Sequence, residues 1–91
     1  LNRDEIAALL RRFYPEAERR AGREGEVVVA IHISRDGAVS AVDVLRPAAS
    51  PAFDEAARKV AALMKFSPAI ALNGKPVAVK LPQQVQFRLR D

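Results

Sequence analysis

Between Val77 and Leu89 the large apolar side chains, Val77, Val79, Leu81, Val85, Phe87 and Leu89, all stand on odd numbers. Successive side chains of an extended chain point to opposite faces, so this spacing predicts one long strand with a single apolar face. Such a strand needs a neighbour for its backbone and a cover for its apolar side. Pro82 falls inside the run, and the parity is the same on either side of it. Proline donates no backbone hydrogen bond, so it is tolerated where the missing N–H would face an open edge. The chain must therefore build a sheet, covered on one face, with this strand at its edge.

The remaining sequence supplies the neighbour and the cover. Glu26 to Ser34 is rich in β-branched residues, with Val27, Val29, Ile31 and Ile33 on one face and Val28, Ala30, His32 and Ser34 on the other. Arg35-Asp36-Gly37-Ala38 carries the Asp-Gly pair of a hairpin turn, Val39 to Leu45 is the return strand, and Pro47 stops it. Ser50-Pro51 starts a helix, with Ser50 as N-cap, Pro51 in the first turn and Asp54 and Glu55 favouring the helix dipole. Phe53, Ala57, Val60 and Met64 form its apolar stripe, widened by Ala56 and Leu63, with Phe66 at the exit. This helix is expected to reach about Lys65, with Pro68 barring its continuation. Ile70 to Pro76 reads as a loop around an Asn73-Gly74 turn.

Upstream, Asn2 and Glu5 form a capping pair for a helix over residues 3–13, whose apolar side is Ile6, Leu9, Leu10 and Phe13. Pro15 opens a short second helix that carries Ala17 and Ala21 and ends at Gly22 and Gly25. The order α-α-β-β-α-β gives an α+β fold: two layers, a three-stranded antiparallel sheet packed by a long amphipathic helix, and an extra N-terminal helical segment. A hairpin followed by a helical return sets the strand order as second, first, third. Residues 1–13 read as a helical extension or the end of a linker, and 14–91 as the folded domain.

Composition narrows the functions. At 91 residues, 49% apolar and 29% charged, the chain is one small folded domain rather than a disordered tail. It has no Cys, one His and one Met, which leaves no thiol chemistry and very little for a metal site, and no metal or cofactor is expected. No run of apolar residues approaches the ~18 needed for a transmembrane helix. The chain opens on Leu1 rather than Met, so it is expected to be a segment of a longer protein. From Ala56 to Arg90 there are basic residues (Arg58, Lys59, Lys65, Lys75, Lys80, Arg88, Arg90) and no acid. That run reads as a solvated surface. One Tyr and no Trp give few platforms for stacking bases, so no nucleic-acid partner is expected. His32, Ser34, Asp36 and Asp43 cluster near the hairpin but lack a nucleophile elbow, and the chain is not expected to be an enzyme.

Set in order, these residues resemble the C-terminal domain of the TonB family of energy transducers. The resemblance runs from Tyr14 to Leu89: Tyr14-Pro15 before the short helix, Glu24-Gly25-Glu26-Val27 opening the first strand, Asp36-Gly37 at the turn, and Phe53-Asp54 starting the long helix. Lys65-Phe66-Ser67-Pro68-Ala69 at the helix exit, Asn73-Gly74-Lys75-Pro76 and the closing Val85-Gln86-Phe87 complete it. Arg11-Arg12 stand where the family has Gln-Pro, and Met64 stands where it has Trp.

The resemblance implies a non-catalytic periplasmic domain, tethered to the inner membrane by an absent segment that joins the ExbB–ExbD motor. It also implies a partner, the TonB box of an outer-membrane transporter, added as a strand beside the last strand. Even-numbered backbone groups are expected to face that edge, so Gln84, Gln86, Arg88 and Arg90, with Phe87 behind them, form the expected docking strip. The resemblance adds Tyr14 and Pro15. A homodimer paired through the last strand is a further expectation. The alternative is a TonB-like domain of a sensor or scaffold protein with no transporter partner.

Overall fold

The computed structural model describes residues 3–89. The elements are α1 (Arg3–Arg12), α2 (Glu16–Arg20), β1 (Gly25–Ile33), β2 (Val39–Arg46), α3 (Pro51–Ala62), β3 (Ala69–Ile70), β4 (Pro76–Val77) and β5 (Val79–Phe87). The main sheet is antiparallel in the order β2-β1-β5, the order set by the hairpin and the helical return. Asn2, the expected cap of α1, lies outside the described residues.

Strand β1 pairs with β5 without a break from Gly25↔Phe87 to Ile33↔Val79, through Ala30↔Pro82. The apolar faces of the two strands therefore coincide. Val27, Val29, Ile31, Ile33, Val85 and Phe87 are all buried, and α3 covers them with Phe53, Ala56, Ala57, Val60 and Ala61, joined by Met64 just past its end. The β1–β2 pairing, by contrast, has two register shifts, between Val28 and Val29 and between His32 and Ile33. The apolar side of α1, through Ile6, Leu9, Leu10 and Phe13, packs against the same core.

Three aromatic rings close one end of this core. Tyr14 meets Phe53 edge-on at 5.8 Å and Phe87 edge-on at 5.7 Å, while Phe53 and Phe87 lie 5.4 Å apart at a tilt. Gly25 lies under this cluster. A Cβ built there would stand 2.5 Å from the Phe53 ring, so the strand's first residue has no room for a side chain. At the other end, the Gly37 carbonyl accepts the Phe66 N–H over 3.2 Å. Gly37 has φ +90 and an added Cβ would meet the Phe66 carbonyl, which reserves the position for glycine.

The structure departs from expectation in two places. Helix α3 stops at Ala62, and Leu63 is its cap and is exposed rather than part of the stripe. The Phe66–Gly37 bond draws the chain onto the hairpin before another helical turn can form. The expected loop after Pro68 contains a small two-stranded sheet, β3 with β4, so Val77 belongs to β4 and the long strand begins at Val79. Ala71 N–H donates to Lys75 O and Lys75 N–H to Asn73 Oδ1, which tightens the Asn73-Gly74 turn into a hairpin. Glu18, in the first turn of α2, is buried, taking a hydrogen bond from Ser50 Oγ at 2.9 Å and an ion pair from Arg23.

Phe53→Ala removes a ring that is 2% exposed and should cost about 3–5 kcal/mol, read as a shift of the urea midpoint. Gly25→Ala forces a methyl group into the Phe53 ring and should cost about 1–3 kcal/mol in the same assay. A Gly25→Ala variant as stable as the parent contradicts the packing of Phe53 on β1.

Candidate functional site

The free side of β5 is where this sheet meets its surroundings. Ser34 N–H donates to Ala38 O at 2.9 Å, and His32 O accepts from Ser40 Oγ at 3.2 Å. Both bonds turn the even-numbered backbone groups at the end of β1, His32 and the following Ser34, toward the β2 side. In an antiparallel ladder the two parities face opposite neighbours, so odd β1 residues face β5 and are met there by odd residues. The odd-numbered Leu89 continues the pattern past the strand, its N–H donating to the Glu24 carboxylate over 2.8 Å on the β1 side. The even-numbered backbone groups of β5 point outward, and Pro82 is among them, so its missing N–H leaves no gap in the ladder.

The edge is not bare. A groove of about 330 Å³ runs between it and α1. Ala7, Leu10 and Arg11 on α1, with Tyr14 just beyond it, form one wall, and Gln84, Gln86 and Arg88 form the other. The wall is held from behind. The Tyr14 hydroxyl donates to the Arg23 carbonyl, the Arg19 guanidinium lies 5.3 Å over the Tyr14 ring, and Arg19 Nη2 donates to the Arg11 carbonyl at 2.8 Å. Burial, reinforced by the negative charge of Glu24, holds the Tyr14 phenol above its ordinary value, so it stays a neutral donor.

On the strand wall, Gln86 Nε2 donates to Glu26 Oε2 across the β1–β5 pair at 3.0 Å, and Gln86 Oε1 accepts from Arg88 Nε at 3.3 Å. The hydrogen bond from Gln86, then that from Gln84, holds the Glu26 carboxyl below its ordinary range, with Arg88 and Arg46 adding to the effect. Away from the groove, Ser34 and the Ala38 N–H lower Asp36 in the hairpin turn. His32 Nε2 lies 2.7 Å from Asp43 Oδ2 as an exposed cross-strand pair. Among the described residues no group of three or more His, Cys, Asp or Glu side chains could hold a metal ion.

Of the expected site residues, Gln84, Gln86, Arg88 and Tyr14 come together on this groove. The Phe87 ring is wholly buried in the aromatic cluster and supports the edge from the core. Pro15 caps α2 in extended conformation and is half-buried. Arg90 lies outside the described residues. Ala7, Leu10 and Arg11 were not foreseen, because only the packing of α1 brings them beside β5.

A two-layer α+β domain, its sheet open along one strand beside a helix-walled groove, is the class this geometry defines. The chain belongs to the family described as the Gram-negative bacterial TonB protein C-terminal, which matches residues 11–89. The solution structure of the Pseudomonas aeruginosa TonB C-terminal domain superposes with a TM-score of 0.68 at 30% identity, covering 86% of this chain and 78% of that one. The Helicobacter pylori TonB C-terminal domain gives a TM-score of 0.56 at 26% identity, over 94% of this chain and 78% of that one. Among curated proteins, none matches the chain.

Glu26 and Asp36 yield a pH prediction. Both carboxyls are lowered by folding, so the folded state binds fewer protons than the unfolded one. Their stabilising contribution is complete above the ordinary carboxylate range and is lost as pH falls through their lowered native values. Side-chain NMR titration should place both below ordinary carboxyls, and Gln86→Ala should move Glu26 upward while leaving Asp36 in place. A Glu26 that titrates alike in parent and variant contradicts the hydrogen-bond origin.

Proposed function

We propose that this domain is a non-catalytic, force-transmitting module that takes an extended segment of an outer-membrane transporter, its TonB box, as an added strand beside β5. The single observation that carries this reading is the open, outward-facing, even-numbered backbone of β5. Strand addition draws affinity from main-chain hydrogen bonds, which the edge offers in register over most of its length. Each is worth only about 0.5–1.5 kcal/mol net, so binding is modest and depends on side-chain help from the groove. Membership of the TonB C-terminal family supports the remaining parts of the proposal. The domain works in the periplasm, a preceding segment tethers it to the inner membrane and the ExbB–ExbD motor, and pulling on the docked strand opens the transporter.

Two proline substitutions test the edge. Gln86→Pro removes an outward N–H and should leave the fold intact, with melting close to the parent, while abolishing binding of a TonB-box peptide in calorimetry. Phe87→Pro removes a ladder bond and a buried ring together and should unfold the domain. Peptide binding that survives Gln86→Pro, or a Gln86→Pro variant as unfolded as Phe87→Pro, overturns the reading.

A further inference from the structure

We propose that the tip of the β3–β4 hairpin is a lipid-binding surface: Leu72 and Ile70 enter an anionic phospholipid layer while Arg35 and Lys75 bind its phosphate groups. This goes beyond strand addition and uses no residue of the β5 groove, so either reading can fail without the other. Of the exposed large apolar side chains among the described residues, Ile70, Leu72 and Val79 lie in or beside this hairpin. Leu72 stands wholly in solvent at the turn, and Ile70 is 60% exposed on the strand leading to it. Pro76, the register partner of Ile70, is exposed as well, so the outward face of the hairpin is apolar. Apolar residues gathered in one exposed patch mark a contact surface, whereas single ones do not.

Cations stand at the base of this apolar tip. The hollow between the hairpin and the β1–β2 turn is lined by Arg35, Asp36, Pro68, Lys75 and Pro76. Asp36 is the one acid there, and its Oδ1 is engaged by Ser34 Oγ and the Ala38 N–H within its own turn. Lys80 adds a further positive charge just past Val79, and no Asp or Glu occurs between Ala56 and Arg90. An apolar knob on a basic collar matches the two layers of an anionic lipid surface, the acyl boundary within and the phosphates above it.

Shape separates a membrane from a protein partner. Two projecting side chains on a tight turn cover far less than the ~800 Å² per side of a stable protein interface. A lipid layer accepts a small projecting group. The turn is also suited to leaving water. Ala71 N–H donates to Lys75 O, Gly74 N–H to Ala71 O and Lys75 N–H to Asn73 Oδ1, so these donors remain paired there. The tip stands at the Val79 end of β5, while Tyr14 and Phe87 close the other end, about 27 Å away by strand rise. A domain held by this tip keeps its groove clear of the lipid.

The experiment uses vesicles of phosphatidylcholine mixed with phosphatidylglycerol, against vesicles of phosphatidylcholine alone, with every variant checked for unchanged melting. The chain has no Trp, so Leu72→Trp gives a single indole at the tip, and Ala52→Trp places one at the exposed start of α3 as a control. Emission from Leu72→Trp should shift to the blue on the mixed vesicles and be quenched by lipids brominated high on the acyl chain; Ala52→Trp should do neither. In sedimentation with the mixed vesicles, Leu72→Ser should lower partitioning about tenfold, and Arg35→Gln or Lys75→Gln about fivefold each. Moderate salt should weaken binding of the parent. A parent that does not sediment with the mixed vesicles, equal binding to neutral ones, unshifted Leu72→Trp emission, or parent-like partitioning of Leu72→Ser overturns the proposal. So does a blue shift that grows with protein concentration in the absence of lipid, which assigns the tip to a second copy of the chain.

Discussion

The contact among Tyr14, Phe53 and Phe87 is the one on which the rest of the structure depends. Each ring belongs to a different part of the chain: the turn after α1, the first turn of α3 and the end of β5. Edge-on aromatic pairs add about 0.5–1.5 kcal/mol each beyond the area they bury, and their geometry is directional. The cluster therefore fixes positions as well as adding stability. It seats α3 on the sheet at the bare backbone of Gly25 and draws the end of α1 to the margin of β5. The groove has a second wall because Tyr14 is pinned on three sides, by two rings and by the Arg23 carbonyl.

Carboxylates complete what the elements leave open. The ends of helices and strands present N–H groups with no partner in their own element, and burying such groups unpaired is costly. Asp54 accepts the Ala48 N–H at the entry to α3, and Glu24 accepts the Leu89 N–H beyond β5. Glu18, reaching from α2, accepts a hydrogen bond from the hydroxyl of the same Ser50 whose oxygen caps α3 through the Ala52 N–H. One serine thus joins two helices. These three acids serve as joints between elements.

Much of this architecture was legible because its signals are local. A period of two across β1 and β5, an Asp-Gly turn and a Ser-Pro helix start each act within a few residues, and together they fix the strand order. Pro82 even indicated which parity of β5 faces outward. What escaped was set by distant partners. Phe66 bonds to Gly37 across the fold, so α3 ends sooner than its apolar stripe suggests and Leu63 turns outward. Residues 69–77 carry a turn signal but only two paired positions on each side, too short a pattern to mark strands. The groove followed the same rule. Its strand wall could be read from parity, whereas Arg11 has no local mark, since only the packing of Ile6, Leu9, Leu10 and Phe13 brings it there.

The two register shifts in β2 bear on how copies of this molecule can meet. A sheet with two straight open edges can stack edge to edge without limit, as filaments do. Here one edge is straight and the other is broken at Ser40 and Leu45, where bulges add local twist and spoil the spacing a neighbour would need. Growth from the β2 side is blocked, so no copy can extend a chain in both directions. Two molecules joined along β5 would use up both straight edges at once, and any such assembly ends at a pair. The irregular strand acts as a terminator, which lets the opposite edge stay open without turning the protein into a fibre.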